Sequence, residues 1–143
     1  MSLKIGVNGA GGRMGRRVVA LTMQDADLDL TAALEHPGCP FLGQDAGELA
    51  GAGKAHVAIS SSLECPVDAI IDFSTPDGLD AVLQLCESRR IPLVVATTGI
   101  TAQQRQAVQA AAQTTPIVMA PSMSMAVNLV MKLVAEADRK SVV

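Results

Sequence analysis

Leu3-Lys4-Ile5-Gly6-Val7-Asn8-Gly9-Ala10-Gly11-Gly12-Arg13-Met14-Gly15 begins two residues into the chain. Residues 3–8 read as a short buried strand that Gly9 ends, and residues 12–24 as a helix. In that helix Met14, Val18 and Leu21 recur at four and three, which predicts one apolar stripe. Glycines between a strand and a helix have a physical use. Gly9 permits a tight turn, Gly12 lets backbone N–H groups approach a diphosphate, and Gly15 lets the helix lie close to the sheet. The helix N-terminus adds partial positive charge. The spacing is G-x-x-G-x-x-G on Gly9, Gly12 and Gly15. A glycine-rich turn without a ligand also satisfies it, so the cluster alone does not decide.

Further along, residues 30–35 read as a second strand, and the Gly/Pro-punctuated stretch 36–54 as loop with one helical turn near Asp45–Ala50. Residues 55–60 are a weak strand and 68–73 a strong one. Thr75-Pro76 has the form of an N-cap followed by proline in the first helical position. Leu79, Val82, Leu83 and Cys86 then follow at i, i+3, i+4 and i+7. Residues 91–97 predict a strand, Thr101 and Gln104 a capping box opening a helix to about Gln113, and residues 116–120 another strand. Ser122 or Ser124 caps a last helix whose Val127, Val130, Met131 and Val134 read as a buried stripe. Met119, Met123, Met125 and Met131 read as core filler. Apolar strands alternating with helices predict an α/β fold, a doubly wound parallel sheet in three layers.

Composition narrows the function. The 143 residues suit one domain, with 49% hydrophobic and 17% charged residues, enough for a buried core. A net charge of −3 lacks the basic footprint of nucleic-acid binding. No apolar run reaches the roughly 18–20 residues of a membrane span, and the start does not read as a signal peptide. Cys39, Cys65 and Cys86 are widely spaced, which suggests reduced thiols in the cytoplasm rather than a disulfide or zinc site. With no Tyr, a Tyr–Lys acid is excluded. With His36 and His56 alone, so is a His-rich metal site. No P-loop motif occurs.

Glu35 ends the second strand about twenty residues after Gly15, where a ribose-binding acid is expected. The alternative is a solvated carboxylate. Arg13 in the first helical turn opposes the helix dipole by ~0.3–1 kcal/mol. An anionic ligand would offset that cost, and a solvated arginine is the other reading.

With these residues placed, the chain resembles the nucleotide-binding half of bacterial dihydrodipicolinate reductase from about Lys4 to Lys132. The resemblance rests on several blocks in order. They are Gly9 to Gly15, Ala33-Leu34-Glu35, Phe41 to Gly47, Asp72-Phe73-Ser74-Thr75-Pro76, Thr97-Thr98-Gly99, Ala120-Pro121 and Val127-Asn128. It implies a Rossmann-like dinucleotide-binding domain over residues 1–143 and a cytoplasmic reductase of lysine (diaminopimelate) biosynthesis. That enzyme reduces a cyclic dihydrodipicolinate precursor to tetrahydrodipicolinate with NADH or NADPH. Gly9, Ala10, Gly11, Gly12, Arg13 and Met14 would then hold the pyrophosphate, and Glu35 the adenosine ribose. Phe73 and Ser74 would approach the nicotinamide, with Ala96, Thr97 and Thr98 lining its ribose and amide. Ala120, Pro121, Ser122 and Met123 would close that side.

Some positions depart from the family pattern. Ala96 stands for a usual Gly, Ser122-Met123 for Asn-Phe, and His36 for an Arg that can meet a 2′-phosphate. The family's catalytic segment, a His-His pair with a nearby Lys and then Gly-Thr, follows the last helix and is absent from this chain. So is the substrate domain through which the family forms tetramers. The expectation is therefore a truncated form or isolated domain, without catalytic residues or metal, inactive alone and of open oligomeric state. A non-catalytic nucleotide-sensing module and a methyltransferase are the competing readings. Asp72-Phe73-Ser74 and Thr97-Thr98-Gly99 give the methyltransferase no support.

Overall fold

The computed structural model describes residues 2–120 and 122–141. In chain order the elements are β1 (Leu3–Asn8), α1 (Arg13–Gln24), β2 (Leu28–Leu34), α2 (Ala46–Leu49), β3 (Ile59–Ser60), β4 (Ala69–Asp72), α3 (Pro76–Arg89), β5 (Leu93–Val95), α4 (Ala102–Ala111), β6 (Ile117–Met119) and α5 (Met125–Ser141). Six strands pair in parallel in the order β3-β2-β1-β4-β5-β6. The order reverses between β1 and β4, and the carboxyl ends of those strands mark the crevice where such sheets take ligands.

Period-two alternation places neighbouring strand residues in opposite cores. Ile5, Val7, Leu30, Ala33 and Ile59 pack with Val19 of α1 and Ala46 of α2 on one face. Leu34, Ile70, Leu93 and Val95 pack with Leu79, Val82, Leu83 and Cys86 of α3 and Val108 of α4 on the other. Each fully buried Leu or Val contributes about 1.5–3 kcal/mol. The helix starts follow the sequence. Thr75 accepts the Gly78 N–H ahead of Pro76, and Thr101 and Gln104 form the expected capping box. Gln104 also donates to the Pro76 carbonyl at 2.8 Å and to Asp80 Oδ1 at 3.0 Å, joining α4 to α3.

The structure revises several expectations. β2 starts at Leu28 and stops at Leu34, so Glu35 lies just outside it. Leu3↔Leu28 pairing draws the earlier residues into the ladder, and the register shifts once between Ile5 and Gly6. β3 keeps two residues of the expected six, in a segment where His56 has φ 58°. β4, β5, β6 and α4 are each shorter than the sequence suggested. Past the paired residues of β4 and β5, the Phe73 and Ala96 N–H groups still bond back to the Asn8 and Asp72 carbonyls.

Two stripes are corrected. In α1 the buried residues are Gly15, Val19, Ala20 and Thr22; of the expected stripe Val18 is half-buried against the core, whereas Met14 and Leu21 are about half exposed. Close approach of Gly15 to Gly9 sets the rotation of this helix, ahead of side-chain hydrophobicity. In α5 the expected buried stripe is exposed: Val127 44%, Val130 58%, Met131 47%, Val134 62%. A 3.6-residue period reports an apolar face, not what covers it. Met123, Met125 and Met131 are likewise exposed rather than core filler, and Met119 alone of that group packs against the core.

Candidate functional site

β1 delivers Asn8 to the carboxyl end of the sheet, between Leu34 and Asp72, and Gly9 turns the chain with φ 78°. A Cβ on Gly9 would stand 2.6 Å from the Phe73 carbonyl oxygen, and one on Gly15 would collide with the Gly9 carbonyl oxygen. The loop is thus drawn tight against β4 on one side and α1 on the other. No side chain caps α1 and no acidic residue occupies its first turn. An uncapped helix start of this kind is a ready place for an anion.

Glu35 is half-buried beside this loop. Its Oε1 accepts the Gly11 N–H at 2.9 Å, and its Oε2 accepts the His36 N–H at 3.2 Å. The carboxylate therefore spans from the end of β2 to the glycine turn. Arg13 and Met14 are exposed, and His36 is exposed next to Glu35. A different arginine holds the loop. Arg16 Nε donates to the Gly11 carbonyl at 2.8 Å, and its guanidinium lies 4.8 Å over the Phe41 ring.

A second cluster sits at the ends of β1, β4 and β5. Asp72 is fully buried. Its Oδ1 accepts Asn8 Nδ2 at 2.8 Å and the Ser74 hydroxyl at 2.6 Å, and its Oδ2 accepts the Thr97 hydroxyl at 2.6 Å. Backbone bonds complete the tie, from Phe73 N–H to the Asn8 carbonyl and from Ala96 N–H to the Asp72 carbonyl. Gly9, Phe73, Ser74, Ala96 and Thr97 are thereby brought together, with exposed Thr98 following. Burial pushes the thiol of nearby Cys86 up to about 12, and the charge of Asp72 adds to this.

Ala120, Ser122 and Met123 follow β6 at the sheet edge; Pro121 lies outside the described residues. Ser122 turns inward on its own segment. Its Oγ accepts the Ser124 N–H at 3.2 Å, and its carbonyl accepts Asn128 Nδ2 at 2.7 Å. Sequence reasoning did not single out Asn8 or Arg16, and used Asp72 only as part of a motif. Asn8 next to the glycines and Asp72 at a strand end were the available signals. Two surface depressions, of about 700 and 350 Å³, lie around Asp45–His56 and around Thr31–Cys65. Neither includes a predicted site residue. The glycine turn forms an open edge instead.

A family profile described as dihydrodipicolinate reductase, N-terminus, matches residues 3–123. The chain belongs to this family. It is 45% identical over 136 residues to 4-hydroxy-tetrahydrodipicolinate reductase of Rhodopirellula baltica, covering 92% of this chain and 49% of that protein. It is 44% identical over 142 residues to the enzyme of that name from Methylococcus capsulatus, covering 97% and 53%. The chain thus spans about half the length of the curated relatives it matches. Among solved structures, the dipicolinate-bound dihydrodipicolinate reductase of Paenisporosarcina sp. TG-14 superposes with a TM-score of 0.74 at 24% identity. That match covers 96% of this chain and 54% of the other. Aspartate semialdehyde dehydrogenase with NADP from Candida albicans superposes at 0.56 and 14% identity, covering 68% and 30%. These two likenesses concern the fold. Among the described residues no helix is long and apolar enough to cross a membrane.

Proposed function

We propose that this chain is the NAD(P)H-binding half of a reductase. The intact enzyme would reduce a cyclic dihydrodipicolinate precursor to tetrahydrodipicolinate in lysine (diaminopimelate) biosynthesis. The observation that carries the reading is the glycine turn, with space denied to any Cβ at Gly9 and Gly15, an uncapped helix start, and Glu35 reaching its Gly11 N–H. These residues fit a dinucleotide. Gly9 to Met14 would hold the pyrophosphate, and Glu35 would exchange Gly11 for the adenosine ribose hydroxyls.

When bound, the nicotinamide supplies the hydride. The chain's own part is to hold that ring. Asp72 fixes the hydroxyls of Ser74 and Thr97 on either side of the β4 end. Phe73 and Ala96 are set by backbone bonds to Asn8 and Asp72. Ala120, Pro121, Ser122 and Met123 would close the remaining side. The 143 residues contain no His-His pair, so proton donation and substrate carboxylate binding are assigned to none of them. The expected result is dinucleotide binding without turnover of the cyclic imine. Turnover by the purified chain would overturn this assignment.

Cofactor choice follows from charge. Glu35 repels a 2′-phosphate, and exposed His36 stands where an arginine would meet it. NADH should bind at least as tightly as NADPH. Titration of both at pH 8 checks this, and a tenfold preference for NADPH would contradict it.

A further inference from the structure

Glu35, His36 and Cys39 leave β2 in one turn, pinned by the Cys39 N–H to the His36 carbonyl at 2.9 Å and the Glu35 N–H to the Ser60 carbonyl at 2.9 Å. One donor atom of each, a carboxylate oxygen, an imidazole nitrogen and the Cys39 sulfur, lies within 4.8 Å of the other two. Cys39 is buried and free, Glu35 half-buried and His36 exposed. Among the described residues no lysine, arginine or histidine forms an ion pair with Glu35.

We infer that Glu35, His36 and Cys39 form a binding site for a thiophilic divalent cation of the Zn²⁺ type, and that its occupation excludes the dinucleotide. Three donors of mixed N, O and S character suit Zn²⁺, whereas Mg²⁺ and Ca²⁺ take oxygen ligands. Zn–ligand bonds of about 2.0–2.3 Å set ligands of a tetrahedral ion roughly 3.3–3.8 Å apart, so donors already within 4.8 Å close by at most about 1.5 Å. Rotation of the exposed His36 side chain supplies that movement. Three protein ligands leave the fourth position to water. Exclusion follows because the ion and the ribose both require the Glu35 carboxylate, and such coupling is reciprocal. The spacing E-H-x-x-C matches no familiar zinc motif, which is why the sequence concealed it.

The antagonism rests on the dinucleotide reading; the metal site does not. The test uses the reduced 143-residue chain with Co²⁺ as spectroscopic probe. One equivalent should produce a thiolate-to-cobalt charge-transfer band and visible four-coordinate absorption, both removed by stoichiometric Zn²⁺. Cys39→Ser and Cys39→Ala should lose the charge-transfer band, and Cys65→Ser should keep it. His36→Gln should weaken Co²⁺ binding at least tenfold. Absence of the band, its dependence on Cys65, or unchanged affinity in His36→Gln overturns the site. NADH affinity should fall at least tenfold with saturating Zn²⁺, and stay within twofold in Cys39→Ser, a variant whose thermal unfolding reports its fold. Unchanged NADH affinity in the parent chain overturns the antagonism. If NADH fails to bind metal-free protein, the dinucleotide reading fails, and the cobalt spectrum still decides the metal site.

Discussion

Gly15 touches the Gly9 carbonyl so closely that no side chain fits between them. Gly15→Ala should therefore cost ~1–3 kcal/mol, the usual overpacking penalty, and abolish NADH binding because the turn must open. Urea unfolding and calorimetry read the two effects separately. Unaltered NADH affinity would show that the turn geometry is dispensable. Asp72 is the next such residue. Asp72→Ala leaves donors of Asn8, Ser74 and Thr97 without their acceptor and should cost about 2–4 kcal/mol. A change below about 1 kcal/mol in chemical denaturation would show that these groups find other partners. Thiol reactivity is a third readout. Iodoacetamide at pH 8 should modify exposed Cys65 and spare Cys86, whose thiol is pushed up to about 12; peptide mass mapping checks this. The tight glycine turn was legible in the sequence because strand, turn and helix are contiguous there. The Asp72 network was not, since its Asn8 partner lies 64 residues away and only the sheet brings them together.

At the scale of elements, local chemistry predicted helix starts well. Thr75-Pro76 and Thr101–Gln104 act within one turn, so no tertiary knowledge is needed. Thr101→Ala should cost ~1 kcal/mol, measured as a shift in denaturant midpoint; no shift would mean that Gln104 holds the helix through α3 alone. The short α2 carries a pH dependence. Backbone N–H groups, that of Ala55 foremost, hold Asp45 below its ordinary carboxylate value of 3.8 against an opposing desolvation. A depressed folded value contributes stability above the unfolded value, lost as pH falls through the folded one. Amide exchange at Gly47, Glu48 and Ala55 should accelerate below about pH 4, and Asp45→Asn should remove the dependence. Exchange insensitive to pH in the parent, after correction for intrinsic rates, would contradict this. Strand ends and buried faces were less legible. Ladder pairing added Leu28 to β2, a backbone contact rotated α1, and nothing in the period of α5 says what lies against it.

Across the whole molecule, the parallel sheet places the glycine turn and the Asp72 cluster at the carboxyl ends of β1 and β4, where the strand order reverses. One end of the cofactor would lie on each: adenosine at Glu35, nicotinamide at Ser74 and Thr97. That division yields a contrast between variants. Glu35→Ala should weaken NADH and ADP-ribose alike, by roughly tenfold or about 1.4 kcal/mol. Thr97→Val should weaken NADH more than ADP-ribose, and equal losses would place the nicotinamide elsewhere. The alternation of strands and helices was readable from composition and period, and the parallel three-layer architecture followed from it. The open edge was not, because the glycine motif specifies a backbone turn and says nothing of the walls around it. The most direct measurement is calorimetric titration of the folded, metal-free chain with NADH and with NAD⁺. Saturable heat at one dinucleotide per chain, lost in Gly15→Ala, is the expected result. No heat from either form at millimolar concentration would contradict the account.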